Sequence, residues 1–376
     1  MSNTLANMPR VEIVGSFLPP EELENALNEK IHGNLSEEAY HAIEDKVIDS
    51  LIDREIESGL QIVTDGEMRR KSWARDFWEG FNGMSRDRID TGSVYQDEVV
   101  RHDLLRFDGR IEFNEAHPFF EKYSHMQELT RGRAEVRQTI PSPGELYMRI
   151  LLGSNGDISK NYVSPETLLD DIVDAYRKTI EEFYRRGCRH IQLDTGVWGR
   201  LSDPDFDRLL LLGGVDSDRV TLTLLDLINR TIENRPADLE IILSIAADER
   251  HIPRWFDEKE LTHLRLMLEK VDADAFLLPF AISSPQEIEA VRWLPAGKRA
   301  IIGVVDGSLP NLENVDDIVE AIRVAARYVP VGLLSVSPTC GFKVSDRERQ
   351  GLNYETQWSK IALLRQAAEK FANEIG

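Results

Sequence analysis

Short runs of apolar, largely β-branched residues recur along the chain, each followed by a longer stretch whose apolar positions repeat at helical spacing. The short runs predict eight strands: Val11–Phe17, Gln61–Glu67, Val136–Pro141, His190–Thr195, Glu240–Ala246, Ala275–Phe280, Arg299–Asp306 and Gly332–Ser337. The longer stretches predict helices with readable ends. One opens at Ser164-Pro165-Glu166, a capping hydroxyl followed by proline in the first turn, and stops at Gly187. Its Leu168, Leu169, Ile172, Val173, Tyr176, Ile180 and Phe183 fall on one face, which is the face that packs on a sheet. Another helix runs through Ala39–Ser58 and ends at Gly59, and a third follows Asn314 with Ile318, Ala321, Ile322 and Ala325 on its buried side.

Strands alternating with helices predict an α/β fold, and eight of them predict a (β/α)8 TIM-type barrel occupying residues 1–376 as a single domain. One stretch breaks the rhythm: Asp90–Phe113 reads as a loop or hairpin excursion between the second helix and the third strand. A doubly wound open sheet is the alternative, but no GxGxxG follows the first strand. The chain has no internal repeat, low-complexity segment or linker rich in Gly, Pro or Ser.

Composition narrows the class. A hydrophobic content of 41% supports a large core, and two cysteines cannot make a disulfide framework. The first residues have no basic-then-apolar pattern, and no apolar run approaches the roughly 20 residues that span a bilayer. A cytoplasmic protein with no membrane partner is expected. The formal net charge of −21 argues against a nucleic-acid partner, because phosphates demand a dense Lys/Arg surface. A small-molecule substrate is expected; nothing in the sequence speaks to oligomeric state.

Barrel enzymes carry their chemistry where strands end at the C-terminal face. Here those ends read Gly15-Ser16-Phe17, Asp65-Gly66-Glu67, Pro141-Ser142-Pro143, Asp194-Thr195-Gly196, Ala247-Asp248-Glu249, Pro279-Phe280, Asp306-Gly307-Ser308 and Cys340-Gly341. Asp306 and Asp248 are explained by capping of the next helix. Asp65, Glu67 and Asp194 together suggest a functional mouth that holds a substrate ammonium, a Mg2+ ion or a proton in transit. Ser16, with nearby backbone N–H groups, makes a carboxylate cradle. Trp73, Trp198 and Tyr147 offer rings to a flat ligand or pack at the rim, and Arg69, Arg70 and Lys71 either meet an anionic tail or form a solvated helix start. Cys188, just before a strand, reads as packing; Cys340, past its strand, reads as a nucleophile, a metal ligand or a small apolar residue.

Four of these stretches, Val14-Gly15-Ser16-Phe17, Thr64-Asp65-Gly66-Glu67 with Arg69-Arg70-Lys71-Ser72-Trp73, Ile191-Gln192-Leu193-Asp194 and Ser337-Pro338-Thr339-Cys340-Gly341-Phe342, resemble in order the cobalamin-independent methionine synthases. The likeness covers nearly the whole chain and is greatest to single-barrel members. It implies a (β/α)8 barrel, methyltetrahydrofolate as methyl donor, a zinc ion that activates a thiol, and no cobalamin. It further implies that Ser16 holds an amino-acid carboxylate, that Glu67 and Asp194 hold its ammonium, and that Cys340 is the last zinc ligand. The family's other ligands are a His-x-Cys after the fifth strand and a glutamate after the sixth. Ser244, Ala246 and Pro279 stand in those places here, so three of four zinc donors are replaced. Asp248, Glu249 and His251 are the nearby residues from which a relocated site would have to be built. The expectation is therefore a methyl- or alkyl-transferase acting on a small thiol or amino-acid-like molecule. Zinc-free lyase, demethylase or hydrolase chemistry with Asp65, Glu67 or Asp194 as acid–base groups is the alternative, and non-catalytic binding the third reading.

Overall fold

Arg10–Val11 (β1) pairs in parallel with the last strand of the chain, and Glu12 extends the pairing by donating its N–H to the Val336 carbonyl. The computed structural model describes residues 8–95, 98–152, 160–201, 203–212, 214–245, 258–343 and 351–375. The remaining strands are Ile62–Val63 (β2), Asn82–Tyr95 (β3), Glu98–Glu112 (β4), Glu135–Pro141 (β5), His190–Thr195 (β6), Glu240–Ile245 (β7), Ala275–Pro279 (β8), Arg299–Val305 (β9) and Leu334–Pro338 (β10). Eight of these form one parallel sheet in the order β1-β10-β9-β8-β7-β6-β5-β2. Its two ends meet: Phe17 N–H donates to the Gly66 carbonyl at 2.9 Å, and Thr64 Oγ1 donates to the Gly15 carbonyl at 3.0 Å. The barrel expected from the sequence is thus closed by residues of its own C-terminal rim.

The ladder in β1 and β2 is shorter than their apolar runs, because both chains leave it early to build that closing turn. The last strand begins at Leu334 rather than Gly332, since Val331–Leu333 winds a 3-10 turn. The excursion begins earlier than expected. It is an antiparallel hairpin of β3 and β4 that starts at Asn82, ahead of the expected Asp90. Met84 and, from the partner strand, Leu105, Phe107 and Ile111 are buried, so the base of the hairpin belongs to the core. A helix at Pro118–Thr130, capped by His117 and started by proline, then separates the hairpin from β5.

Helices surround the sheet. The Pro165–Arg185 helix is capped by Ser164 and buries Leu168, Ile172, Val173, Tyr176, Ile180 and Phe183, the face its periodicity implied. The Glu37–Glu57 helix is capped by Ser36 and the Val315–Ala325 helix by Asn314. No helix among the described residues is long and apolar enough to cross a membrane.

Alternate strand residues point outward and join the main core, as Ile191, Leu193, Ile241 and Leu243 do. The inward set is different. Val14, Ile242, Ala275, Leu277 and Ile301 form a small separate cluster, and the rest of the interior is polar. Toward the N-terminal end lie Glu12, Arg137 and Ser335, all nearly fully buried. Arg137 and Arg299 both donate to Glu12, as does Ser335 Oγ at 2.6 Å. Burial alone would push the Glu12 carboxyl up; the two guanidiniums and the serine hydroxyl outweigh it and hold the group below the usual carboxylate value.

Candidate active site

The turn Thr64-Asp65-Gly66-Glu67 is tied together by its own side chains. Gly66 N–H donates to Thr64 Oγ1 at 3.1 Å, and Glu67 N–H donates to Asp65 Oδ1 at 2.9 Å. Gly66 has φ +60°, and a Cβ there would press on Leu51 and Phe17. Glu67 itself sits at φ +55°, a conformation that costs a side-chain-bearing residue about 1–3 kcal/mol and concentrates at functional sites. The result aims the Glu67 carboxylate across the barrel end against Gly15, where an added Cβ would lie 2.9 Å from Glu67 Oε1.

Two donors hold that carboxylate. Arg70 Nη1 lies 3.1 Å and Thr139 Oγ1 2.9 Å from Glu67 Oε1, while Arg70 Nη2 also donates to the Thr139 carbonyl at 2.6 Å. Arg70 is therefore a buried partner of the site rather than part of a solvated helix start. Arg69 instead turns to Glu44 and Asp45. Thr139 escaped sequence reasoning; the signal that finds it is parity, since it shares the inward face of β5 with Arg137.

Asp194, next to last in β6, has only 7% of its surface exposed. It accepts from Gln192 Nε2 at 2.7 Å and stands in register with Ser244 of β7. Burial first, and the nearby Glu67 carboxylate second, push its carboxyl up to about 7. Gln192, Arg70 and the Ser244 hydroxyl pull in the other direction without overcoming that rise. Asp65, Glu67 and Asp194 thus gather at one end of the barrel, with Asp65 committed to the turn.

Ser16 completes the ring of strands. Its carbonyl accepts from Phe342 N–H at 2.9 Å and its Oγ from Lys343 N–H at 3.3 Å, while a Cβ on Gly341 would overlap Ser16 Oγ. Ser16 and the Cys340-Gly341-Phe342 turn are therefore neighbours, as their shared strand pairing requires. Cys340 is partly exposed and packs against Gly307, where an added Cβ would lie 3.2 Å from its Sγ. Asp306 accepts from the Ser308 N–H and hydroxyl, which makes it a local turn residue. Trp73 is 43% exposed on the loop after β2, whereas Trp198 has no exposed surface at all. Asp248, Glu249 and His251 lie outside the described residues.

The two thiols differ in kind. Cys188 is fully buried, its Sγ donates to the His190 carbonyl, and burial pushes its thiol up to about 11. Iodoacetamide should therefore modify Cys340 in the folded protein and spare Cys188 until denaturant is added. Peptide mass mapping before and after unfolding checks this, and equal labelling of both in the native state would contradict the packing described.

Against known proteins this architecture is not isolated. Residues 8–369 match the family described as the cobalamin-independent synthase catalytic domain. The chain belongs to that family. Among its relatives is the uncharacterised protein YxjG of Bacillus subtilis, 30% identical over 355 residues that cover 94% of this chain and 92% of that one. A methionine synthase of Pyrococcus abyssi is 24% identical over 95% of this chain and 93% of its own. Of solved structures, a Listeria monocytogenes protein described as a candidate vitamin-B12-independent methionine synthase superposes with a TM-score of 0.73 at 25% identity, covering 97% of both chains. A B12-independent methionine synthase from a Shewanella species, solved with selenomethionine, gives 0.71 at 16% identity over 98% of this chain and 99% of that one, which shows the common fold.

Within this cobalamin-independent synthase family the zinc question can be put to the residues themselves. Ser244 is buried on the inner face of β7 beside Asp194, and Pro279 ends β8 with no side-chain donor. Among the described residues no three His, Cys, Asp or Glu side chains gather as a metal site. The donors among the described residues do not fit the family's zinc.

Proposed function

We propose that this protein binds a small amino-acid-like molecule at the C-terminal mouth of the barrel and acts on it in the cytoplasm as a methyl- or alkyl-transferase of the methionine-synthase type, with methyltetrahydrofolate as donor. One observation carries the binding half of this reading. Asp194 is a buried carboxyl that, among the described residues, has no cation within ion-pair distance, while its neighbour Glu67 already has Arg70. A ligand ammonium supplies the missing positive charge, and the Ser16 hydroxyl with the surrounding N–H groups takes the ligand carboxylate. Glu67 and Asp194 then hold one end of the ligand and Ser16 the other, with the partly exposed Trp73 on the loop after β2 as the ring nearest to hand; Trp198, fully enclosed, packs behind the site instead. The Shewanella relative's selenomethionine is a ligand of this kind.

A second reading is favoured by the same carboxyl. A group near pH 7 is suited to giving and taking protons, and Ser244, Ala246 and Pro279 replace the donors that thiol activation by zinc would need. Lyase, demethylase or hydrolase chemistry on the same ligand, with Asp194 as acid–base group beside Glu67 and Asp65, uses what this chain retains.

Calorimetric titration with L-methionine and with its analogue lacking the amino group tests the shared premise. The amino acid should bind, and the analogue should bind at least about 30-fold more weakly, the range expected when a buried charge loses its partner. Equal affinities would overturn the ammonium assignment. Methionine formation from homocysteine and methyltetrahydrofolate then separates transfer from the second reading.

A further inference from the structure

Beneath Asp194 runs a chain of side chains to which the proposed chemistry gives no role. Gln192 is fully buried between two layers of the barrel interior. Below it, Arg137 donates to Gln192 Oε1 at 3.2 Å and to the Ile13 carbonyl at 3.0 Å, and is itself held by Glu12. Above it, Gln192 Nε2 donates to Asp194 Oδ1 at 2.7 Å and to the Val14 carbonyl at 2.6 Å.

A guanidinium has only N–H groups to offer, so it can meet only the oxygen end of the amide. That fixes which way the Gln192 amide points. Its two N–H groups are then both committed, one to a backbone carbonyl and one to Asp194. From this geometry we infer that Gln192 is a positioning residue: it pins Asp194 through Oδ1, so that any proton the carboxyl carries sits on Oδ2. A proton on Oδ1 would face an N–H donor that cannot turn away, because Arg137 holds the other end of the amide. The anchor of this arrangement is the Glu12 layer, which ties the acid at the mouth to the charges at the opposite end of the barrel.

The charged groups facing Asp194 among the described residues are Glu67 and Arg70, both from the turn after β2; Gln192 donates to it, and the uncharged Ser244 hydroxyl stands beside it without a hydrogen bond to it. Removing the Gln192 donor takes away one of the few interactions that favour the ionised carboxyl, so the midpoint of Asp194 should rise. The consequence for a ligand rests on reading Asp194 as an ammonium partner; the pinning itself does not.

The test is an NMR titration of the full chain labelled with [13C]aspartate at the carboxyl carbon, the Asp194 signal being identified by its loss in Asp194→Asn. In Gln192→Met and in the isosteric Gln192→Glu, which can still accept from Arg137, the midpoint should rise by about one unit or more, a tenfold tighter hold on the proton. In the unsubstituted protein with [15N]glutamine, one side-chain NH2 should shift with pH at the Asp194 midpoint and cease to do so in Asp194→Asn. Midpoints within about 0.3 unit of the parent in the folded variants, or no glutamine NH2 that follows Asp194, would overturn the inference. If the glutamine signal tracks Asp194 while Asp194→Asn binds L-methionine like the parent, the pinning stands and the ammonium reading falls.

Discussion

Asp194→Asn should bind L-methionine about 100-fold more weakly than the parent while melting at an equal or higher temperature above pH 7. The first half follows from charge. A buried carboxylate that pairs with a ligand ammonium contributes about 2–5 kcal/mol when one partner is truncated, and the amide that replaces it is neutral. The second half follows from linkage. Asp194 moves from 3.8 when exposed to about 7 in the folded protein, so between those values the folded state holds more protons than the unfolded chain. Stability therefore falls as pH rises through that window. At about 1.4 kcal/mol per unit, the cost above pH 7 reaches at most about 4 kcal/mol, and asparagine never incurs it. Calorimetry for affinity and thermal melts at pH 5 and pH 8 read both halves. Parent-like affinity in a folded variant would sink the binding assignment, and a variant that melts well below the parent at pH 8 would contradict the burial argument. The same sign governs the parent: its affinity for an ammonium should rise as pH is raised from 6 to 8, as Asp194 ionises.

The residues legible in the sequence were those at which a strand ends and a carboxylate or hydroxyl begins. Ser16, Asp65, Glu67 and Asp194 each stand at such a boundary, and closing the sheet joins the boundaries of Ser16 and of Asp65 and Glu67 through Phe17 N–H and the Gly66 carbonyl. Helix faces were legible for the same kind of reason, since the 3.6-residue repeat at Leu168 to Phe183 has one packing solution. Less legible were residues whose role depends on which strand lies beside which. Thr139 and Arg70 matter because β5 follows β2 around the barrel, and Gln192 matters because Arg137 sits one layer below it. Local pattern carries no information about these neighbours. The early start of the hairpin at Asn82 has a similar cause: its base is buried against the helix Pro165–Arg185, so Met84 and Phe107 look like core residues of some other element. Trp198 shows the reverse error of proximity in sequence, for it follows Asp194 by four residues and yet is wholly enclosed.

Glu12→Gln should cost about 3–5 kcal/mol of stability, the largest effect expected of any single polar substitution in this barrel. Glu12 is 3% exposed and is the shared acceptor of Arg137 and Arg299. Glutamine keeps the shape but removes the only negative charge that touches Arg137 among the described residues; Arg299 retains Glu240, which also accepts from His190 and whose carboxyl, though raised by burial, is brought down to about 2 by that histidine and Arg299. The loss therefore falls mainly on Arg137, whose guanidinium is left without a counter-charge in a low-dielectric interior. Adding Arg137→Met to Glu12→Gln should restore part of the stability, because the second change deletes the unpaired guanidinium; two independent sites would instead give additive losses. The pH dependence has a definite sign. A carboxyl whose folded value is depressed below 4.5 stabilises the protein above that pH and loses its contribution as pH falls through the folded value, so the gap between parent and Glu12→Gln should narrow in acid. Denaturant melts at pH 7 and pH 4 measure the gap directly. A loss below about 1 kcal/mol at pH 7 would mean that the buried layer is neutralised some other way. It would also remove the fixed end from which Arg137, Gln192 and Asp194 are oriented in turn.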